Sequence, residues 1–362
     1  MDPSFTLQLS LELDRALPLE TLRDAVEALA GHNPLTTCRL RGVLGWSRWQ
    51  PGSGRPRVGC VDGVAWDGRS LAGAAFLEAP LEAPVEVLVV EGQVPRLLVR
   101  CDHALVDGVG ILGLVRDLFD VLNGRRPSAL PLGPADHGLV GDHRAEPAAP
   151  VDVGSPLGPA RSDAVQRVWA AARTAPHDRL MARLVRATFR GSRRYTDRPI
   201  RVDVPVDLRR HGVAGSGNLT GLVQLTLDQE PTLDQVHERL GRALEARREL
   251  DAVVRMRGAR WLPVSWLAGL GRAGARRSLA SDAWQSSVTL SHLGRHDLAD
   301  FGGPELALRR VVPVAPASRG LPLNLTFLAD RDGVELSASS PAAVGGGGRL
   351  EELLGAVVCS LR

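Results

Sequence analysis

The sequence predicts an α/β (α+β) fold of two lobes with mixed sheets, on three observations. The chain has 362 residues, long for one hydrophobic core and comfortable for two units of about 150–200 residues each. Segments of strand period and of helix period alternate along both halves. Between the halves, residues 126–159 are rich in Pro, Gly, Ala and Asp without a sustained period, the mark of a linker or long crossover. A boundary near residue 155 follows, with an N-terminal lobe at 1–155 and a C-terminal lobe at 156–362.

The elements of the first half come in a definite order. Residues 5–13 place Phe5, Leu7, Leu9, Leu11 and Leu13 at every second position, the pattern of a half-buried strand. Pro18 then opens a helix whose Leu19, Leu22, Val26 and Leu29 recur at three and four residue steps up to Gly31. The turn Gly31-His32-Asn33-Pro34 follows, and residues 36–64 read as short strands punctuated by Gly and Pro, without secure limits. Residues 85–91 and 95–101 form two β-branched runs across a short turn, a hairpin whose second strand leads into Asp102-His103-Ala104-Leu105-Val106-Asp107-Gly108. Ile111, Leu114, Val115, Leu118, Phe119 and Leu122 then recur with helical spacing, closed by Asn123-Gly124. His103 and Asp107 therefore stand at a strand-to-helix turn.

The second half repeats the alternation. An arginine-rich helix is expected over 163–190, strands over 200–206 and 219–227, and a helix over 232–254 with Thr232 as N-cap. Strands at 287–291, 306–312, 323–329 and 334–339 precede a glycine turn at 345–348 and a last helix at 350–361.

Composition removes whole classes of chemistry. All 44 basic residues are Arg, so no lysine can form a Schiff base or meet a nucleotide's terminal phosphates. Basic and acidic residues are interleaved, which argues against a nucleic-acid partner. No apolar run approaches the ~20 residues that cross a bilayer, and no membrane partner is expected. Cys38, Cys60, Cys101 and Cys359 lack CxxC spacing and the chain opens without a leader-like pattern, so reduced thiols in the cytoplasm are expected. No HxH, HExxH or Cys/His cluster suggests a metal.

Attack of a hydroxyl or amine on an acyl group needs a base, and imidazole serves that role near neutral pH. His103 at the end of an apolar strand meets the demand, with Asp107 one turn on and Gly108 and Gly110 allowing tight backbone. Residue by residue, an ordinary strand-end histidine and a helix-capping aspartate account for the same letters at least as well. Gly108 to Gly113 also spell GxGxxG, but the glycines of a dinucleotide fingerprint begin at the strand end, and five residues intervene here.

The segment His-Ala-Leu-Val-Asp-Gly at 103–108 resembles the HxxxDG signature of the chloramphenicol acetyltransferase and peptide-synthetase condensation superfamily. That superfamily includes wax ester synthases, plant BAHD acyltransferases and polyketide-associated acyltransferases. Residues 19–39 resemble its first helix and following turn, VPVDLRRHG at 204–212 with Gly217-Asn218 its VPVDLR...GN segment, and Ser291-His292-Leu293-Gly294 its SNLG segment.

The resemblance implies two chloramphenicol acetyltransferase-like lobes with a tunnel where they meet. It implies a stand-alone acyltransferase of specialised metabolism, with His103 as general base, Asp107 ion-paired to an arginine for which Arg209 is the candidate, and Gly108 giving backbone room. The donor would be acyl-CoA or an acyl-phosphopantetheine on an acyl or peptidyl carrier protein, the acceptor a small-molecule hydroxyl or amine, with no tightly bound cofactor. Asp102, Thr289, Ser291 and Asn218 are the candidates to meet substrate or oxyanion. Asp102 departs from the fuller HHxxxDG pattern, placing an acid where the first histidine stands. Two alternatives follow: a cyclase or rearrangement enzyme, and a non-catalytic scaffold docking a carrier protein. His292 and His296 read as tunnel lining or as surface residues, and Trp46 and Trp49 as ligand-stacking or as core or lid residues.

Overall fold

A computed structural model describes residues 5–42, 48–128, 131–133, 138–146, 152–162, 164, 166–318 and 320–361. The first half runs β1 (Thr6–Leu13), α1 (Leu19–Ala30), β2 (Arg39–Arg41), β3 (Arg48–Gln50), β4 (Arg57–Asp62), β5 (Val85–Glu91), β6 (Arg96–Asp102) and α2 (Gly108–Leu122). The second half opens with β7 (Arg167–Thr174), α3 (Leu180–Ser192), β8 (Ile200–Asp207) and β9 (Thr220–Leu227). It continues through α4 (Leu233–Glu245), α5 (Asp251–Met256), α6 (Val264–Ser281) and β10 (Val288–Arg295). β11 (Leu308–Val314), β12 (Asn324–Ala329), β13 (Val334–Pro341), α7 (Ala342–Gly345) and α8 (Arg349–Leu361) close the chain.

Two mixed sheets organise these elements, as the alternation predicts. The first has five strands in the order β11-β1-β6-β5-β4, and the second six in the order β7-β13-β12-β10-β8-β9. In the first, β4 and β5 are parallel and the other pairs antiparallel. In the second, β10 runs parallel to both β8 and β12. β11 comes from the second half yet pairs with β1 from Gln8↔Val314 to Leu13↔Leu308, so a division at residue 155 separates the first sheet from its own edge strand.

The apolar faces of the sheets carry the cores. Alternate residues Ile200, Val202 and Val204 of β8 pack under α3 and α8 with Leu184, Val185, Leu353 and Val357. In the first lobe, Leu9 and Leu11 of β1 meet Leu22 and Val26 of α1 and Ile111 and Val115 of α2. Leu293 of β10 and Leu328 of β12 enter this same cluster, which joins the two lobes through apolar contact.

Two expectations for the second half are corrected. Residues 163–190 are not one helix: β7 occupies 167–174, and α3 begins only at Leu180. Ala170 to Ala172 favour helix locally, but β7 pairs along its length with β13, and Trp169 Nε1 donates to Ser337 Oγ at 2.7 Å. Pro176 then prevents continuation into α3.

Residues 232–254 also break. α4 carries the predicted Thr232 cap in a full capping box with Gln235. After it Arg247 turns into the left-handed region at φ 55, and a 3₁₀ turn leads to α5. The break directs Glu249 inward to His211 at 3.1 Å and Asp251 to His143 at 2.7 Å, while Leu250 is fully buried. No reading of the sequence had placed α6.

Candidate active site

β6 delivers the His103 segment to the seam between the lobes. The His103 amide donates to Phe5 O at 3.1 Å, continuing the sheet by one rung, and the chain then turns through Leu105 and Val106 amides that both donate to Asp102 O. Asp102 Oδ1 accepts from the Ala104 amide at 2.8 Å. The acid in place of a first histidine is thus spent on closing the turn.

The imidazole is held in one orientation. His103 Nδ1 lies 3.1 Å from Val106 O. A carbonyl only accepts, so Nδ1 carries the proton, and in the neutral ring the lone pair belongs to Nε2. The Phe5 ring packs beside the imidazole with centroids 5.6 Å apart, and Trp49 Nε1 donates to Ala104 O at 3.2 Å on the other side of the turn.

Asp107 borders the cleft, but its carboxylate oxygens are taken up by protein donors. Its Oδ1 caps α2 by accepting from the Gly110 amide at 2.8 Å. Arg209 donates from Nη1 to Oδ2 at 2.9 Å and from Nη2 to Oδ1 at 3.2 Å, a two-pronged pair, and the Leu219 amide adds a bond to Oδ2 at 2.8 Å. Arg209 itself is fixed by Gly215 O and Gly217 O, each at 2.7 Å. Asn218 completes the clamp, donating from Nδ2 to His103 O at 2.8 Å and from its amide to Leu105 O at 3.0 Å. The segment after β8 therefore grips both ends of the His103 turn.

Close approach explains the glycines. A methyl on Gly108 would overlap Leu293 Cδ2, and one on Gly110 would overlap the Ser216 carbonyl oxygen. Gly108 thus lets β10 lie against the start of α2, and Gly110 lets the 215–217 loop cross it.

A cleft opens at this seam. His103 lines one wall with Gly108 and Val109, and Thr289, Ser291, Asn324 and Thr326 line the facing one. Register brings these four together, since Thr289 pairs with Asn324 and Ser291 with Thr326. Among the described residues the hydroxyls of Thr289 and Ser291 have no hydrogen-bond partner, whereas Thr326 Oγ1 donates to Asn324 Oδ1 at 3.3 Å. Asp102 and Asn218, read as candidates to meet substrate or oxyanion, do not line the cleft; both bond to backbone of the turn.

Asn324 and Thr326 escaped the sequence reading. Two polar residues at alternate positions in the otherwise apolar run 323–329 were the available signal. His292 also lines the cleft and stacks on Phe327 with centroids 4.7 Å apart. Desolvation by the surrounding protein, and then His296, lower its pKa below the ordinary imidazole value. His296 bonds Leu293 O through Nε2 at 2.8 Å, and Trp49 packs against the first core. Trp46 lies outside the described residues. Among the described residues no cluster of three His, Cys, Asp or Glu side chains converges, and no helix is long and apolar enough to cross a membrane.

No protein-family model matches this chain, and no curated protein matches it by sequence. Solved structures match over its whole length. The condensation domain from Monacolin K polyketide synthase MokA superposes with a TM-score of 0.64 at 11% identity, covering 99% of this chain and 92% of that one. The first condensation domain of the calcium-dependent antibiotic synthetase, in complex with a substrate analogue, gives 0.64 at 16%, covering 99% and 91%. An arginine-to-alanine variant of the starter condensation domain of rhizomide synthetase RzmA, in complex with C8-CoA, gives 0.65 at 14%, covering 100% and 90%. The chain has the condensation-domain fold that the 103–108 segment and its companions anticipated.

Proposed function

We propose that the protein is an acyltransferase in which His103 Nε2 removes the proton from a hydroxyl or amine as it attacks an acyl thioester. The observation that supports this is the hydrogen bond from Nδ1 to Val106 O, which in the neutral ring assigns the lone pair to Nε2 of a residue that lines the cleft. The acceptor's X–H bond breaks toward Nε2 as its heteroatom bonds to the thioester carbon. Thr289 and Ser291, with unspent hydroxyls on the facing wall, are placed to donate to the oxyanion. Collapse expels the thiolate, which takes the proton back from the imidazolium, so atoms and charge balance. Asp107 and Arg209 touch no substrate; they position the base.

The lining supports one substrate class. The only charged side chains among its described residues are Asp107 and Asp207, and both are tied to Arg209. Leu7, Leu9, Ile111, Pro313 and Val314 are among the apolar residues of the remaining wall. A cleft whose described lining holds no free cation suits an uncharged aliphatic acyl group and offers no counter-charge to a free carboxylate. The C8-CoA held by the rhizomide domain is of that kind, and we propose acyl-CoA as donor here, with an acyl-phosphopantetheine on a carrier protein as the alternative source of the same thioester.

Incubation of the protein with C8-CoA and a panel of primary alcohols and amines, followed by mass spectrometry, tests the reading. A product carrying the added acyl mass, with one free thiol released per product, is expected. Release of thiol without an acylated product, or a product of unchanged mass as in cyclisation, contradicts it.

A further inference from the structure

Residues 252–281 carry six arginines and no acid, and the same stretch concentrates exposed apolar side chains. Met256 is 60% exposed, Trp261 58%, Trp266 67% and Leu270 65%. Large apolar groups left in water at this density mark a surface that meets another phase or partner.

The helix geometry makes a stripe of them. On α6, Trp266, Leu270, Ala273 and Arg277 follow at steps of four, three and four, so they stand on one face, and all four are exposed. The opposite face holds the helix down: Ala275 is buried, and Leu279 packs against the core of the second lobe. Trp261 and Leu262, in the turn before the helix, are exposed as well. Arg272, Arg276 and Arg277 flank its far end and have no carboxylate partner among the described residues.

From this arrangement we propose that α6 and the turn before it seat the protein on an anionic lipid surface. The exposed indoles of Trp261 and Trp266, with Leu270 at the edge of the cleft that α6 borders, suit a medium that deforms around them, and tryptophan favours the headgroup level. Arg272, Arg276 and Arg277 supply attraction to anionic headgroups, and long arginine side chains reach past an apolar stripe to phosphate. A second copy of the chain is disfavoured, since a two-fold contact would oppose this arginine set to itself. The helix would lie in the surface and not span it. The proposal is independent of the acyl-transfer reading, because nothing in it depends on His103.

Co-sedimentation of the full chain with vesicles tests this directly. The chain is expected to pellet with vesicles of phosphatidylglycerol and phosphatidylcholine, to pellet about tenfold less with phosphatidylcholine alone, and to be released by salt. The exposed-site double variant W266S/L270S should lower partitioning about tenfold with its thermal midpoint unchanged, and R276E/R277E should do the same. Failure of the full chain to pellet with anionic vesicles overturns the proposal, as does equal pelleting of the variants. Stripe-dependent dimerisation in sedimentation velocity, or stripe-dependent capture of an acidic carrier protein without vesicle binding, reassigns the surface and equally overturns it.

Discussion

Asp107 has a side chain only 4% exposed, and its charge is balanced by Arg209, itself 14% exposed. Arg209→Ala leaves that carboxylate buried without a counter-charge, and the expected cost is about 3–5 kcal/mol, read as a lowered denaturant midpoint. Adding Asp107→Asn should recover part of the loss, because no uncompensated charge then remains. A midpoint unchanged by Arg209→Ala contradicts the clamp. This much of the site was legible in the sequence: His103, Asp107, Gly108 and Arg209 lie in two short contiguous segments. What holds the imidazole was not legible, since Val106 contributes a backbone carbonyl that any residue would supply. Nor could a single sequence show that Asp102 closes a turn or that Asn218 bonds the His103 carbonyl 115 residues away.

Strands and helices were readable where one face is apolar. β1, α1, β5, β6 and α2 lie where periodicity put them, and β8, β9, β12, β13 and α8 do so within a residue or two. β7 failed because alanine and arginine carry no strand signal and its stability comes from β13. The polar face of β8 gives a pH test at this scale. Asp203 is buried, and desolvation pushes its pKa from 3.8 up to about 6 against the opposing bonds from Gln224 and Ser286. The folded state therefore holds a proton that the unfolded state has released between these values. The contribution is fully present below pH 3.8 and is lost as pH rises through about 6, a swing of about 3 kcal/mol. Relative to Asp203→Asn, the wild type should lose stability between pH 4 and 6 in denaturant titrations. Parallel stability curves for the two proteins over that window contradict the assignment.

The whole molecule is held by crossings that no local pattern reveals. β11 completes the first sheet from the second half, and Arg310 on it donates to both oxygens of Glu335 on β13, each at 2.7 Å, bonding one sheet to the other. The lobes at 1–155 and 156–362 remain a proposal about folding units, and the pairing makes a definite forecast. Residues 1–155 expressed alone should expose the β1 edge and aggregate, and co-expression with 156–362 should restore a soluble complex. A soluble, cooperatively unfolding 1–155 fragment contradicts it. The proposed function needs the joined lobes to bring the His103 imidazole and an acyl thioester into one cleft. The most direct measurement is the rate of acyl transfer from C8-CoA by His103→Ala beside the wild type, with both confirmed folded by thermal melting. The account predicts a fall of about 10²–10⁴-fold with little change in melting temperature; transfer by the folded variant at the wild-type rate contradicts it.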